Sequence, residues 1–483
     1  MQQKRAPKRP FLLHIFQNEY ISTMTFSDRF INVVKAVLPA PFTIAVLLTV
    51  FTWCLAFFFG NYEGELEQRF LAVATSWESG LWNNSLLVFA MQMMLMLALG
   101  HILALSKPID KLIQKALFYC KDTASSAATV VFLTMLVGLF NWGLGLIFGA
   151  IFARKVGEKF SKLNLPLNYP LIGAAGYAGL MVWHGGLSGS SLTKVAEAGH
   201  LKTLVADFNS ELASTLPSQI TFAETVFSPM NSVVSIMLLS IIPLVMYRIG
   251  KYSNESVPNL KSDISAETSF STSGAELLDY SKWVGLGFGF IVLMVALLKL
   301  FVQNNGELLS FFTPNNINLV LLSLGLLFHQ SFSAFLKALE AAIGGVSGIL
   351  IQFPLYFGIM GMMKASGLVD AFSQGMVSIS NETTYPIFTF ISAGIVNIFV
   401  PSGGGQWAIQ GPIIVQAASE LGVSLSKSIM ALAYGDQLTN MLQPFWALPL
   451  LGITGLKARE ILPYTLVLFV LGCTIFCAGL LLF

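Results

Sequence analysis

Four short runs bring groups capable of chemistry into otherwise apolar sequence. The first, Phe140-Asn141-Trp142-Gly143-Leu144-Gly145, joins an amide to two glycines. The second, Trp183 to Ser191 (WHGGLSGSS), gathers His184 with three glycines and three serines, Ser188 and Ser190 among them. The third, Val400 to Pro412 (VPSGGGQWAIQGP), places Ser402, Gly403, Gly404, Gly405, Gln406 and Trp407 directly after a proline. The fourth, Tyr434 to Phe445 (YGDQLTNMLQPF), carries Asp436, Thr439 and Asn440.

Two kinds of chemistry suit these groups. Pro401 disfavours helix at Val400, and three glycines let the chain approach a ligand closely. Amide N–H groups at the start of a half-helix after the glycines would meet an anion with the positive end of a dipole. Ser402 and Gln406 add neutral donors, and Trp407 offers a flat apolar wall. With no Lys or Arg close in sequence, a bound carboxylate would be held by dipoles and hydroxyls and so be releasable. Asp436 is the complementary case: a carboxylate deep in an apolar segment must pair, take a proton or coordinate a cation, unless it serves as a helix cap. His184 is likewise an ionisable group within an apolar segment. A nucleophilic serine is disfavoured, because Gly186-Leu187-Ser188-Gly189-Ser190 lacks the second glycine of a G-x-S-x-G elbow and its strand-turn-helix setting.

The elements that must position these groups are membrane helices. Of the 483 residues, 55% are hydrophobic and 11% charged, whereas soluble domains carry roughly a quarter charged residues. Net charge of +2 gives no support for nucleic acid as a partner. The four scattered cysteines form neither a zinc nor a disulfide pattern, and no cofactor is expected. A spanning helix needs about 20 mainly apolar residues, and nine stretches qualify: 36–60, 84–105, 169–191, 228–248, 283–303, 316–333, 346–366, 427–450 and 461–482. Two more, 125–153 and 385–417, break near their middles and read as re-entrant hairpins. The fold expected is thus an all-α polytopic membrane protein with about nine spanning helices, two re-entrant hairpins and two broken helices, 169–191 and 427–450.

Charge orients this arrangement. With the N-terminal arm (1–35) in the cytoplasm, 21 of the 27 Lys and Arg residues fall on the cytoplasmic side, and the loop holding Glu63, Glu65, Glu67 and Glu78 falls outside. Residues 36–249 then form a first repeat, 250–282 a polar cytoplasmic linker, 283–303 a connecting span and 304–483 a second repeat turned upside down. Such inverted repeats build a midplane site from related broken elements. Ile109–Tyr119 and Phe335–Ala342 read as short interfacial helices or simple connectors.

The runs VPSGGGQWAIQGP, WHGGLSGS and NWGLGL (141–146) resemble the bacterial short-chain fatty acid transporter family over most of the chain from about residue 25. GDQLTN (435–440) is similar to the broken helix of dicarboxylate and aminobenzoyl-glutamate carriers of the wider ion transporter superfamily. The resemblance implies a bacterial inner-membrane secondary carrier, not an enzyme, for acetoacetate- or butyrate-type monocarboxylates. It also implies H⁺ or Na⁺ coupling and a homodimer whose hairpin-bearing domain moves like an elevator. It assigns a site to Asn141, His184, Ser188, Ser190, Ser402, Gly403, Gly404, Gly405 and Gln406, with Asp436, Thr439, Asn440 and backbone carbonyls freed by unwinding near the coupling ion. The acyl chain would lie against Trp183 and Trp407. The alternatives are a C4-dicarboxylate or other organic anion carrier and a cation/proton antiporter. A membrane-embedded acyltransferase using His184 is a third reading, which predicts neither paired hairpins nor a repeat.

Overall fold

The computed structural model describes residues 41–206, 210–260, 274–303, 311, 314–368, 371, 374–375, 378–401 and 403–483. Within them the chain is all helical, the one pairing of extended segments being an isolated bridge between Leu167 and Ser256. Five helices among the described residues are long and apolar enough to cross a bilayer: Leu86–Leu103, Thr123–Phe140, Pro229–Lys251, Lys282–Gln303 and Ala458–Leu482. Ala45–Phe59, Asn315–His329 and Tyr385–Phe399 are shorter apolar helices. Large apolar side chains such as Phe58, Val88, Leu244, Phe290 and Val470 point outward from this set. In hydrocarbon that exposure carries no penalty, and the backbone groups are satisfied inside each helix.

Several boundaries differ from those read in the sequence. The first hairpin runs Thr123–Phe140 and Trp142–Lys162, nine residues beyond the expected end at 153, because the basic last turn with Lys159 and Lys162 continues the helix. Its first arm alone reaches membrane length. The acidic segment after residue 60 is not a loop: Leu66–Leu81 is a helix, at whose start the Glu65 N–H donates to Gln68 Oε1 at 3.2 Å. It packs on Ser347–Ala365 where Gly80 meets the backbone of Phe357 and Gly358. The amphipathic segments are Lys107–Leu117 and Phe332–Ile343.

The order helical pair, then broken helix, occurs twice. Thr123–Lys162 turns at Asn141 and is followed by Tyr169–Tyr177, a 3₁₀ turn at Ala178–Met181, an irregular stretch and the short helix Ser190–Val195. Tyr385–Phe399 and Gly403–Glu420 form a pair that breaks at Val400, and are followed by Leu425–Thr439, a 3₁₀ turn at Asn440–Leu442 and Pro444–Thr454. In each unit a hairpin arm meets the broken helix through bare backbone. Gly149 lies against Gly176 in the first, and Gly435 against the Phe390 carbonyl in the second, so that a methyl group at any of these glycines would collide with main chain.

Candidate functional site

The broken elements interlock around their own polar groups. Asn141 Oδ1 accepts from the Leu144 N–H at 3.0 Å, and Ser188 Oγ accepts from the Trp142 N–H at 2.9 Å, so both cap the helix that leaves the first hairpin tip. The Leu187 N–H donates to the Leu139 carbonyl at 2.8 Å and fastens the irregular stretch to the same tip. From the second unit, Gln437 Oε1 accepts the N–H groups of His184 and Gly185 at 2.8 and 2.9 Å. Asn231 Nδ2 donates to the Gly185 carbonyl, and its oxygen accepts from the Tyr434 hydroxyl.

Across the second break, Asn397 Nδ2 reaches the Asp436 carbonyl at 2.8 Å, Thr439 Oγ1 at 2.9 Å and Asn440 Oδ1 at 3.2 Å. The Tyr177 hydroxyl lies 2.9 Å from the Asn440 carbonyl and 3.2 Å from that of Gln443. The Asp436, Asn440 and Gln443 carbonyls at this break are therefore already bonded, and so are the side-chain oxygens of Thr439 and Asn440. Asp436 belongs to the regular helix one turn before the break.

His184 and Asp436 form one unit. Nδ1 lies 2.6 Å from Asp436 Oδ2 with both side chains buried. The two atoms are close, and neither has a hydrogen-bond partner among the described residues. On the other side of the ring, Nε2 accepts from the Ser191 backbone N–H at 3.0 Å and sits 2.8 Å from Ser191 Oγ. Gly403, the first residue of the second hairpin's outgoing helix, covers the pair. A Cβ at this position would lie 2.8 Å from Asp436 Oδ2, 2.8 Å from the Trp183 ring and 3.0 Å from His184 Cε1.

Beside this unit is a cavity of about 50 Å³, large enough for a few waters. Trp142, Trp183 and Trp446 wall it, with Trp142 5.3 Å from Trp446 and 6.1 Å from Trp183 between ring centroids. Trp183 stacks in turn on His184 at 4.4 Å. Gly403, Gly404, Ser190 and Asn440 complete the polar side. Two lining groups, Trp183 Nε1 and Asn440 Nδ2, are buried nitrogens without a partner among the described residues. Each such donor costs about 1–3 kcal/mol if left unpaired. Among the described residues no cationic side chain lines the cavity. A larger apolar cleft of about 750 Å³, walled by Phe132, Leu133, Phe148 and Phe152, receives nothing from the four polar runs.

Of the residues singled out in the sequence, Trp183, Ser190, Gly403, Gly404 and Asn440 line this cavity and His184 and Asp436 adjoin it. Gly405 follows in the same first turn. Asn141 and Ser188 hold the first hairpin tip, and Gln406 donates to the Ala393 carbonyl and to Gln410. Trp407 is placed away from the cavity, its indole donating to His200 Nε2 at 3.0 Å. Ser402 lies outside the described residues. Sequence reasoning did not single out Trp446, Asn397 or Gln443, and it carried Ser191 and Gln437 only as members of the runs 183–191 and 434–445. The signal for Asn397 was a single amide in the apolar run Phe388–Phe399, while Gln437 and Gln443 lay inside the fourth run without distinction from their neighbours.

Membrane-length apolar helices packed beside two helices broken at a buried polar cluster are the build of a multi-pass membrane protein. The comparisons make the class specific. The family described as short chain fatty acid transporter matches residues 22–483. A protein of Escherichia coli K12, named as a candidate short-chain fatty acid transporter, is 35% identical over 452 residues, covering 92% of this chain and 96% of its own. A Haemophilus influenzae protein of the same description is 34% identical over 453 residues, covering 92% and 97%. The chain belongs to the short-chain fatty acid transporter family, and it is a transporter and not an enzyme. Among solved structures, the YdaH transporter of Alcanivorax borkumensis, described as having an unusual topology, is similar over 91% of this chain and 98% of its own, with a TM-score of 0.41 and 14% identity. That likeness is too distant to place residues.

Proposed function

We propose that the protein carries short-chain monocarboxylates of the acetoacetate and butyrate type across the bacterial inner membrane by symport with H⁺ or Na⁺. The observation that carries this reading is the donor-rich cavity. Trp183 Nε1 and Asn440 Nδ2 are unpartnered donors, the first turn of the helix from Gly403 presents its positive end, and Ser190 adds a hydroxyl. An anion satisfies all of these, and the tryptophan walls suit a short acyl chain. With no Lys or Arg in the lining, a second carboxylate would find no counter-charge, which favours monocarboxylates over dicarboxylates. Asn440 joins the anion's donors here, because its oxygen is held by Asn397 and only its nitrogen is free. The cavity holds a carboxylate head, and the tail requires the tryptophans to part.

In this reading the helix pairs that break at Asn141 and at Val400 are re-entrant hairpins. Repeats 36–249 and 304–483 are inverted about the linker 250–282 and the span 283–303, and the N-terminal arm 1–35 is cytoplasmic. The hairpins and broken helices move together as the transport unit of a homodimer. Reconstituted protein should take up labelled butyrate and acetoacetate under an imposed H⁺ or Na⁺ gradient. Failure to move either substrate under both gradients overturns the proposal.

A further inference from the structure

We infer that the large apolar cleft beside the first hairpin is a site for one anionic phospholipid, whose phosphate meets Lys115 and Tyr119 and whose acyl chains lie along the cleft. The inference needs only that the chain sits in a bilayer and is independent of the transport reading above. It begins with the helix Lys107–Leu117. Its lysines, Lys107, Lys111 and Lys115, recur every four residues and so follow one another along one face. Pro108 falls in the first turn, where a fixed φ and a missing N–H are tolerated. A cationic face on a short helix between membrane-length neighbours is the pattern of a helix lying in the headgroup layer. The helix is also held in place: Lys159, on the second arm of the hairpin, donates to the Leu117 and Cys120 carbonyls at 2.8 and 2.6 Å.

The cleft lies between this helix, both arms of the hairpin and Pro243 of Pro229–Lys251. Its volume of about 750 Å³ falls within the range of ligand sites, roughly 300–1,000 Å³. One end is polar, formed by the exposed side chains of Lys115 and Tyr119. The rest is apolar and graded, from Phe132, which is 41% exposed, to Phe152, which is fully buried. The hydroxyl of Thr129, also in the lining, donates to the Ser125 carbonyl at 2.8 Å. A long apolar body with one cationic end, open to hydrocarbon past Phe132, matches a lipid standing in the bilayer with its head at the interface. The lysine stem packs along the apolar wall while its ammonium stays at the polar end.

Charge decides the kind of lipid. Among the described residues no carboxylate pairs with Lys115. Lys111, one turn earlier, and Lys121, two residues after Tyr119, add charge at the same end. Asp122 is committed to capping Thr123–Phe140, accepting from the Ser125 N–H at 2.7 Å. Basic pockets between membrane helices take anionic headgroups, each nearby lysine strengthening the attraction about fivefold. A zwitterionic lipid brings its own ammonium to the same lysines and is disfavoured. A short monocarboxylate is a poor occupant, since it would fill a small part of the cleft and none of the four polar runs lines it. A second copy of the chain would bury Lys115 without a counter-charge unless it supplied a carboxylate.

The test is native mass spectrometry of the purified full-length protein, delipidated and then offered equimolar phosphatidylglycerol and phosphatidylethanolamine with the same oleoyl chains. The wild type should retain one phosphatidylglycerol in preference to the other lipid. Lys115→Gln should cut that retention about fivefold, whereas Lys107→Gln, on the same helix but not in the lining, should leave it unchanged. Ala128→Phe, which fills the cleft and keeps every lysine, should abolish it. Equal retention of the two lipids, equal loss in Lys107→Gln and Lys115→Gln, or undiminished retention in Ala128→Phe would overturn the inference. So would displacement of the lipid by inorganic phosphate, which marks a free-anion site. A wild type that holds no lipid and passes from dimer to monomer in Ala128→Phe would overturn it too, marking the cleft as an interface between copies. Should Ala128→Phe not fold, the comparison of Lys115→Gln with Lys107→Gln still decides, because both side chains are exposed.

Discussion

Replacing Gly403 with alanine tests the central contact of the site, the seating of the second hairpin tip on the His184–Asp436 pair. The added methyl would stand 2.8 Å from a carboxylate oxygen and 2.8 Å from the Trp183 ring. Neither is the loose end of a flexible chain, since Trp183 is stacked on His184 and Asp436 is buried. Overpacking of this kind costs about 1–3 kcal/mol. Alanine's better helix propensity offsets up to ~1 kcal/mol of it. At 1.4 kcal/mol per tenfold, a net loss of about 0.5–2 kcal/mol weakens butyrate binding by roughly 2- to 30-fold. Gly404 supplies the internal control, because its methyl would reach only Ser190 Cβ at 4.0 Å. Gly404→Ala should therefore melt at or slightly above the wild-type temperature, and Gly403→Ala below it. The measurements are thermal melting and calorimetric affinity on the same preparations. If Gly403→Ala matches the wild type in both, the hairpin tip is not seated on the pair and the site geometry described above is wrong.

Asn440→Asp removes the free donor and turns it into a charge; losing a hydrogen bond to a charged ligand costs about 1.5–3 kcal/mol, so butyrate affinity should drop at least tenfold while the fold persists. Trp183→Phe deletes an indole N–H that has no partner in the empty site but keeps a ring against His184; the unliganded protein should be no less stable, and binding should weaken several-fold. Burial, aided by Lys194 and partly opposed by Glu197, holds His200 below its ordinary pKa of 6.5. The unfolded chain therefore takes up this proton first, so the contribution of the Trp407–His200 bond is complete above 6.5 and declines as pH falls below it. Melting temperature followed from pH 8 to pH 5 should show this slope, and His200→Gln should flatten it.

The sequence by itself determined which segments are apolar enough for a membrane and where they break. Those properties are local: about twenty apolar residues suffice to span, and glycine, proline and isolated amides interrupt a helix wherever they sit. Asn141, residues 183–191, residues 400–402 and the stretch near Asn440 were all visible on that basis, and the paired runs of the family resemblance ran through the same places. Only the tertiary structure decided what those breaks do with their polar atoms. His184 and Asp436, read separately as a substrate group and an ion group, are one pair, because the second broken helix packs on the first across some 250 residues of chain. Asn440 presents its nitrogen and not its oxygen because Asn397, on a different helix, occupies the oxygen. Trp407, one turn beyond the glycines, faces His200, while Trp142 and Trp446 supply the walls. An amide or an indole has both a face and a donor to offer, and which of them reaches a ligand depends on partners that local sequence does not contain.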